Sequence, residues 1–194
     1  MAGLMKVITG EMFSGKSQEL ARLVLESLGQ GHQVQVFYPS SATRGSDRDL
    51  ERRLPPHPRL SVSSVSPGTP GAMADLTPAS ADVVAVDEAQ FFSKELVNVA
   101  KAWRREGKLV LIGGLDQDYL ENPFGYMGDL MCIANEVVKF HAFCAACQSA
   151  DAFVSHRVSS ETGQVVVGES NYVPLCQDCY LSALEVREVP VFVD

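Results

Sequence analysis

The residues best suited to chemistry form a glycine-rich stretch near the N-terminus. Residues 10–17 read Gly-Glu-Met-Phe-Ser-Gly-Lys-Ser and match the pattern G-x-x-x-x-G-K-[ST] at every defined position. Glycines let backbone N–H groups converge on phosphate oxygens at a helix N-terminus. In this pattern Lys16 reaches the β and γ phosphates and Ser17 holds Mg²⁺. The stretch predicts a phosphate-binding loop (P-loop); an incidental Gly-Lys-Ser turn is the alternative.

A second chemical element lies at residues 82–88, Asp-Val-Val-Ala-Val-Asp-Glu. Four apolar residues followed by two carboxylates indicate a buried parallel strand whose carboxyl end carries the acids, where ligands bind in open α/β sheets. Asp87 would lie beside the metal, and Glu88 is a candidate base that takes the proton of an acceptor hydroxyl. A solvated pair of acids at a strand end is the alternative.

The cysteines form a third pattern. Four of the five are arranged as two C-x-x-C pairs separated by 28 residues: Cys144, Cys147, Cys176 and Cys179. Four thiolates of this kind predict a closed tetrahedral Zn²⁺ site that is structural rather than catalytic. Unbound reduced cysteines are the alternative, and His141 and His156 are competing ligand candidates. We expect the fifth, Cys132, to be a buried small hydrophobe.

Apolar periodicity predicts alternating strands and helices that position these residues. The predicted strands are residues 5–9, 33–38, 60–65, 82–88, 109–112 and 137–143. The predicted helices are one that follows the P-loop and ends near Leu28, one from a Ser93 cap to Gly107, and one over 130–135. Strand, loop and helix in this order favour an α/β fold with a mostly parallel sheet flanked by helices.

Two residues in predicted loops have two interpretations each. Residues 39–59 are read as a long loop in which Arg44 meets phosphate or simply solvent. Tyr119 follows the strand at 109–112, and it either stacks on a base or packs against the protein.

Composition limits the classes of function. The 194 residues carry a formal net charge of −8, which opposes extended contact with nucleic acid or anionic lipid. No run approaches the roughly 20 apolar residues of a membrane span, and no secretory signal is evident. We therefore expect a cytoplasmic protein without nucleic-acid or membrane partners.

The order of the motifs resembles the type II thymidine kinase family, the cytosolic type shared by bacteria and animals. A P-loop is followed by a strand ending in Asp-Glu-Ala-Gln-Phe-Phe, a Gly-Leu-Asp loop, Asn-Pro-Phe-Gly and a four-cysteine segment. Residues 10–17 are close to the family's Gly-Pro-Met-Phe-Ser-Gly-Lys-Ser/Thr, and the Met-Phe pair narrows the match. The resemblance covers nearly the whole chain.

This resemblance implies transfer of the γ-phosphoryl group of ATP to the 5′-hydroxyl of thymidine, giving dTMP for nucleoside salvage and DNA synthesis. It implies that Mg²⁺ is required and that Zn²⁺ is structural. It also implies a P-loop α/β kinase domain over residues 1–143 and a zinc-ribbon domain with a lasso loop and C-terminal tail over 144–194. A homotetramer and feedback inhibition by dTTP are further expectations.

The resemblance also assigns site residues. Glu88 matches the catalytic carboxylate, and Asp87 matches the aspartate on the metal side, with Ser17 as the other magnesium contact. The implied ATP-binding residues are Gly10, Glu11, Met12, Phe13, Ser14, Gly15, Lys16, Ser17, Arg44, Asp87 and Gln90. The implied nucleoside-pocket residues are Met12, Phe91, Leu115, Tyr119, Val165, Val166, Val167 and Tyr172.

The chain departs from the family pattern around the acceptor and the phosphates. Ala42 replaces an acidic residue, Gly45 an aromatic residue, Leu120 an arginine and Val167 a glycine. Because of one extra residue after Cys147, the family's threonine on the lasso side cannot be assigned to Val154 or to Ser155. Alternative functions are a divergent P-loop phosphotransferase or ATPase with another nucleoside acceptor, and a non-enzymatic nucleotide-sensing zinc-ribbon module.

Overall fold

A computed structural model describes residues 3–41, 49–159 and 169–188. Arg44 and the predicted pocket residues Val165, Val166 and Val167 lie outside these ranges, as does the alternating stretch around them. Among the described residues, no helix has the length and apolar character needed to cross a membrane.

Strands and helices alternate along most of the described chain. The strands are β1 (Met5–Gly10), β2 (Val34–Pro39), β3 (Leu60–Val65), β4 (Val83–Val86), β5 (Leu109–Gly113), β6 (Glu136–Phe140), β7 (Val154–Arg157) and β8 (Tyr172–Leu175). The α-helices are α1 (Lys16–Gly29), α2 (Asp49–Arg53), α3 (Ala72–Leu76), α4 (Glu95–Arg105), α5 (Met127–Ile133) and α6 (Gln177–Glu188). Short 3₁₀ turns cover Ala89–Phe91 and Glu169–Asn171.

Six of the strands form one parallel sheet in the order β3-β2-β4-β5-β1-β6. The register pairs Ile8 of β1 with Gly113 of β5, and Val86 of β4 with Ile112 of β5. Parallel strands place their carboxyl ends at one edge, so the residues after β1, β4 and β5 meet there. The predicted α/β fold with a parallel sheet and flanking helices is confirmed.

Apolar side chains fill both faces of this sheet. On one face α4 turns its buried stripe toward the strands, and the Trp103 ring stacks on Phe37 with centroids 5.9 Å apart. On the other face α1 contributes Leu20 and Val24 against alternate residues of the same strands. Replacing a buried aromatic residue such as Trp103 with alanine typically lowers the free energy of unfolding by about 3–5 kcal/mol. These apolar layers therefore hold in place the edge of the sheet that carries the site.

The last two strands form a separate small sheet. Strands β7 and β8 pair antiparallel, with Val154 opposite Leu175 and Arg157 opposite Tyr172. A third apolar cluster joins this hairpin to α6 through Leu175 and Tyr180. The small sheet therefore has its own core, as expected for a ribbon after residue 143.

Two sequence expectations about helices are wrong. Ser93 does not cap α4, because the helix begins at Glu95 and Lys94 occupies the N-cap position without a side-chain bond. Residues 39–59 are not all loop, because they contain α2, whose Leu50 packs into the core beside α1. Buried Leu54, at the i+4 spacing, is the apolar signal that the loop interpretation missed.

Cys132 is exposed rather than buried, so that expectation is also wrong. It lies on α5, whose buried residues are Met127 and Leu130. A residue two positions after Leu130 points away from the same helix face, which explains its exposure.

Candidate functional site

The P-loop has the backbone conformations that its glycines predict. Gly10 and Gly15 have φ values of 135° and 88°, and Phe13 also lies at positive φ. A Cβ atom on Gly10 would collide with the Phe140 carbonyl of neighbouring β6. Glycine is therefore required where β1 turns into the loop, and α1 begins directly after Gly15 with its N-terminus at the carboxyl edge of the sheet.

Lys16 lies among carboxylates in this loop. Its ammonium group donates a hydrogen bond to the Glu11 carbonyl at 2.7 Å. Burial lowers the pKa of Lys16 from its ordinary value, and the negative charges of Glu88, Asp87, Glu11 and Asp116 oppose that change. An anionic phosphate would favour the charged form of Lys16 in the same way.

The two acids predicted at the end of β4 are adjacent to the P-loop. Asp87 is buried, and its Oδ1 accepts the Glu88 N–H at 3.0 Å. Glu88 has a left-handed backbone with φ of 51°, a conformation uncommon for a residue with a side chain. The negative charges of both acids raise the pKa of Lys16. The structure therefore brings together three predicted functional residues, Lys16, Asp87 and Glu88.

Gln90 links the acid to the next strand. Its Nε2 donates to Glu88 Oε2 at 2.5 Å, and its Oε1 accepts the Leu115 N–H at 3.1 Å. Because a backbone N–H can only donate, the amide orientation is determined by Leu115. Gln90 was predicted among the ATP-binding residues; in this structure it holds the Glu88 carboxylate.

A cavity of about 400 Å³ opens beside Gln90. Its lining includes Gln90, Phe91 and Phe124, and the two aromatic rings meet edge to face at 5.6 Å. Phe91 was a predicted pocket residue, whereas Phe124 was not singled out, although its Asn-Pro-Phe-Gly motif was noted. A Cβ at Gly125 would collide with the Gln90 carbonyl, so this glycine lets the Phe124 loop approach.

The loop after β5 carries two further contacts. Asp116 Oδ2 lies 2.6 Å from Lys139 Nζ of β6, which makes an ion pair beside the P-loop. Tyr119 packs one ring face against the Arg157 guanidinium, at 3.6 Å from the ring centroid. One face of the Tyr119 ring is therefore packed against the protein, as the packing interpretation of this residue predicts. Sequence reasoning missed Lys139 and Arg157, because neither belongs to a recognisable motif.

The small sheet contacts the P-loop directly. The Met12 N–H donates to Ser155 Oγ of β7 at 2.8 Å. Glu11 accepts the Ala142 N–H through its buried carboxylate, and Ala142 lies two residues before the first of the four predicted zinc ligands. Of Val154 and Ser155, the two residues between which the threonine of the lasso side is left open, Ser155 is the one that bonds to the P-loop.

The four predicted zinc ligands come together. The sulfur atoms of Cys144, Cys147, Cys176 and Cys179 all lie within 4.8 Å of one another, and this is a group that could hold a metal ion. Burial raises the pKa of Cys144, but N–H groups of Cys147, Cys176 and Ala146 outweigh it and bring the pKa to about 6. N–H groups that favour a thiolate suit a soft cation such as Zn²⁺.

The two histidines considered as ligands have other roles. His141 Nδ1 lies 2.8 Å from the Ala152 carbonyl oxygen. The His156 ring packs edge to face on Tyr180. Neither belongs to the metal-binding group found among the described residues.

Comparisons with known proteins agree with this arrangement. The family model for thymidine kinase matches residues 3–180. A thymidine kinase of Bacteroides thetaiotaomicron is 41% identical over 182 residues, covering 93% of this chain and 88% of that protein. A thymidine kinase of Rhodothermus sp. is 39% identical over 183 residues, covering 92% and 81%.

A solved structure shares the fold alone. The flagellar accessory protein FlaH from Methanocaldococcus jannaschii superposes with a TM-score of 0.51 at 16% identity, over 71% of each chain. The family match spans the P-loop, the Asp87-Glu88 pair and all four cysteines. The chain therefore belongs to the thymidine kinase family.

Proposed function

We propose that this protein transfers the γ-phosphoryl group of ATP to the 5′-hydroxyl of thymidine, giving dTMP. The observation that carries the proposal is the position of Glu88 and Asp87 beside Lys16 of the P-loop, in a chain of the thymidine kinase family. ATP as donor follows from kinase membership, and the alternative functions are not favoured by the named homologues.

The P-loop binds the phosphates of ATP. Its N–H groups and the helix N-terminus face the β and γ phosphates, and Lys16 contributes a positive charge. Ser17 and Asp87 are the oxygen ligands that would hold Mg²⁺, as half-buried hydroxyl and buried carboxylate. The ion would supply charge neutralisation on the phosphate oxygens. Arg44 stays a predicted phosphate contact outside the described residues.

Glu88 acts as the general base. Its carboxylate orients the acceptor hydroxyl and takes its proton as the oxygen attacks the γ-phosphorus. Gln90 supports this role, since it donates a hydrogen bond to Glu88 Oε2 and so fixes the orientation of the carboxylate. Because Gln90 is itself held by Leu115, the base is oriented before substrate binds.

The acceptor pocket combines residues of both sheets. Phe91 comes from the turn after β4, Leu115 and Tyr119 from the loop after β5, Met12 from the P-loop and Tyr172 from β8. Val165, Val166 and Val167 stay predicted contacts. A pocket closed over the nucleoside would exclude water and so favour transfer to the nucleoside over hydrolysis of ATP.

The four cysteines would hold Zn²⁺, and the ion would keep the second domain in place. We assign residues 1–143 to the kinase domain and residues 144–194 to the zinc-ribbon and lasso domain. Zn²⁺ would join the chain before β7 to the chain after β8, so it fixes the hairpin that carries Ser155 and Tyr172. A homotetramer, feedback inhibition by dTTP and a cytoplasmic location stay predictions.

The direct test is the rate of ADP formation with Mg²⁺-ATP and a panel of acceptors. Thymidine, deoxyuridine, deoxycytidine and no acceptor are compared with the purified protein, and products are identified by mass. We expect thymidine to stimulate ADP release and dTMP to appear in equal amount. Hydrolysis without an acceptor, or a clear preference for another nucleoside, would contradict the proposal.

A further inference from the structure

Arg157 is a buried cation that the phosphoryl-transfer mechanism does not use. It is 1% exposed, the most buried charged residue of the small sheet, and it ends strand β7. Burying a guanidinium is costly unless the protein supplies compensating contacts. The contacts that Arg157 makes therefore indicate what it is there to hold.

Among those contacts are two tyrosines from different parts of the chain. The guanidinium carbon lies 3.6 Å from the ring centroid of Tyr119 and 5.3 Å from that of Tyr172. Arg157 also donates a hydrogen bond from Nη2 to the Tyr172 hydroxyl at 2.8 Å. Tyr119 belongs to the loop after β5, whereas Tyr172 is the cross-strand partner of Arg157. One side chain thus joins the large sheet to the ribbon.

We propose that Arg157 is a positioning residue for the acceptor pocket, whose stacked guanidinium fixes the rings of Tyr119 and Tyr172 as two sides of one wall. The inference rests on the proposed function, which places both tyrosines against the nucleoside. A planar guanidinium can stack on one ring while donating to the hydroxyl of another. A lysine ammonium keeps the charge but lacks this geometry.

Ser155, two residues before Arg157, indicates which of the two substrates a change at Arg157 should affect. Residues i and i+2 of a strand point to the same face, so Ser155 and Arg157 project together from β7. Ser155 contacts the donor loop at Met12, and Arg157 contacts the acceptor wall. Changes at Arg157 should accordingly act on thymidine binding and spare ATP binding.

The test compares the variants Arg157→Lys and Arg105→Lys. Arg105 is an exposed arginine at the end of α4, so it controls for the chemical change itself. We expect Arg157→Lys to raise the KM for thymidine about tenfold, because the stacking geometry is lost, with the KM for ATP changed less than about twofold. Zinc content should match that of the control, whereas the unfolding temperature should fall, because the buried lysine ammonium keeps the charge but loses the stacking.

A milder variant keeps the test decisive if Arg157→Lys folds poorly. Tyr172→Phe removes only the hydroxyl that Arg157 contacts, and we expect a rise of about threefold in the KM for thymidine. In the double variant the two effects should combine to less than their product, because both break one contact. An unchanged KM for thymidine in Tyr172→Phe, or independent multiplication of the two effects in the double variant, would overturn the proposal.

Three further outcomes separate the proposals. A wild-type protein that phosphorylates thymidine, together with an unchanged Arg157→Lys variant, overturns the inference about Arg157 alone. Equal increases in both KM values with loss of zinc would also overturn it, because they would assign Arg157 a general structural role. A wild-type protein without thymidine kinase activity overturns both the proposed function and this inference.

Discussion

Gln90 Nε2 lies 2.5 Å from Glu88 Oε2, while Oε1 of the same amide accepts the Leu115 N–H at 3.1 Å. The candidate base at the end of β4 is therefore held by a residue that is itself fixed to the end of β5. Glu88 needs this support because its backbone lies in the left-handed region. The base is therefore positioned by its own turn, which the end of the adjacent strand β5 fixes through Leu115.

The first prediction concerns the base itself. Glu88→Gln keeps the shape of the side chain but removes its ability to accept a proton, so we expect kcat to fall by roughly 10²–10⁴ with the KM for ATP nearly unchanged. Steady-state kinetics with thymidine measures this. Glu106→Gln, at an exposed position after α4, is the matched control and should behave as wild type. Normal turnover in Glu88→Gln would exclude its role as base.

The second prediction concerns the effect of a second carboxylate beside Glu88. Gln90→Glu puts a negative charge where the amide now donates to Glu88. Like charges disfavour ionisation, so the pKa of the base rises and the acid limb of the pH profile of kcat/KM should move to higher pH. Gln90→Ala removes the hydrogen bond without adding charge, so it should lower kcat with a smaller displacement of the acid limb. Identical pH profiles for the two variants would contradict this explanation.

The third prediction concerns metal. We expect about one Zn²⁺ per chain in the purified protein, as for a closed four-cysteine site. Cys176→Ser should lose the metal and lower the thermal stability of the protein, because metal binding contributes directly to folding. The exposed Cys132→Ser is a matched control that should retain both. Metal analysis that finds no zinc in wild type would reject the site.

The fourth prediction concerns the bond between the P-loop and the small sheet. Ser155→Ala leaves the half-buried Met12 N–H without its acceptor, which costs about 1–3 kcal/mol of stability. Ser155→Thr retains the hydroxyl and should retain most of that stability. Because Met12 belongs to the P-loop, we also expect a raised KM for ATP in the alanine variant. Urea unfolding and ATP kinetics that do not distinguish the two variants would show that the bond is unimportant.

The local parts of the site were predictable from sequence. The P-loop, the Asp87-Glu88 pair and the cysteine pairs are each read within a short window, because adjacent residues determine a turn or a strand end. The parallel sheet then followed from the order of strands and helices. These predictions depend on periodicity and spacing, which the chain displays directly.

The contacts that join the parts were not predictable. Ser155 bonds to Met12 across 143 positions, and Arg157 contacts Tyr119 from another sheet. A single serine or arginine in a strand has no spacing signal that names its partner. The Ser93 cap failed for a related reason, because a favourable cap residue does not decide where packing starts the helix. Tertiary contacts therefore carry the information that the motifs lack.

The last prediction uses two glycines of the acceptor region. Gly125 has φ of 55°, and a Cβ there would collide with the Gln90 carbonyl, so Gly125→Ala should displace the backbone that carries Gln90. Gly128 lies in α5 with open space around its Cβ position, so Gly128→Ala should stabilise the helix by about 0.5–1 kcal/mol. The same substitution is thus expected to have opposite effects three residues apart. We expect Gly125→Ala to lower both the unfolding temperature and kcat, since a displaced Gln90 no longer holds Glu88. Differential scanning calorimetry and steady-state kinetics on both variants measure these effects. If Gly125→Ala lost stability but kept full kcat, the Phe124 loop would have no role in positioning Glu88.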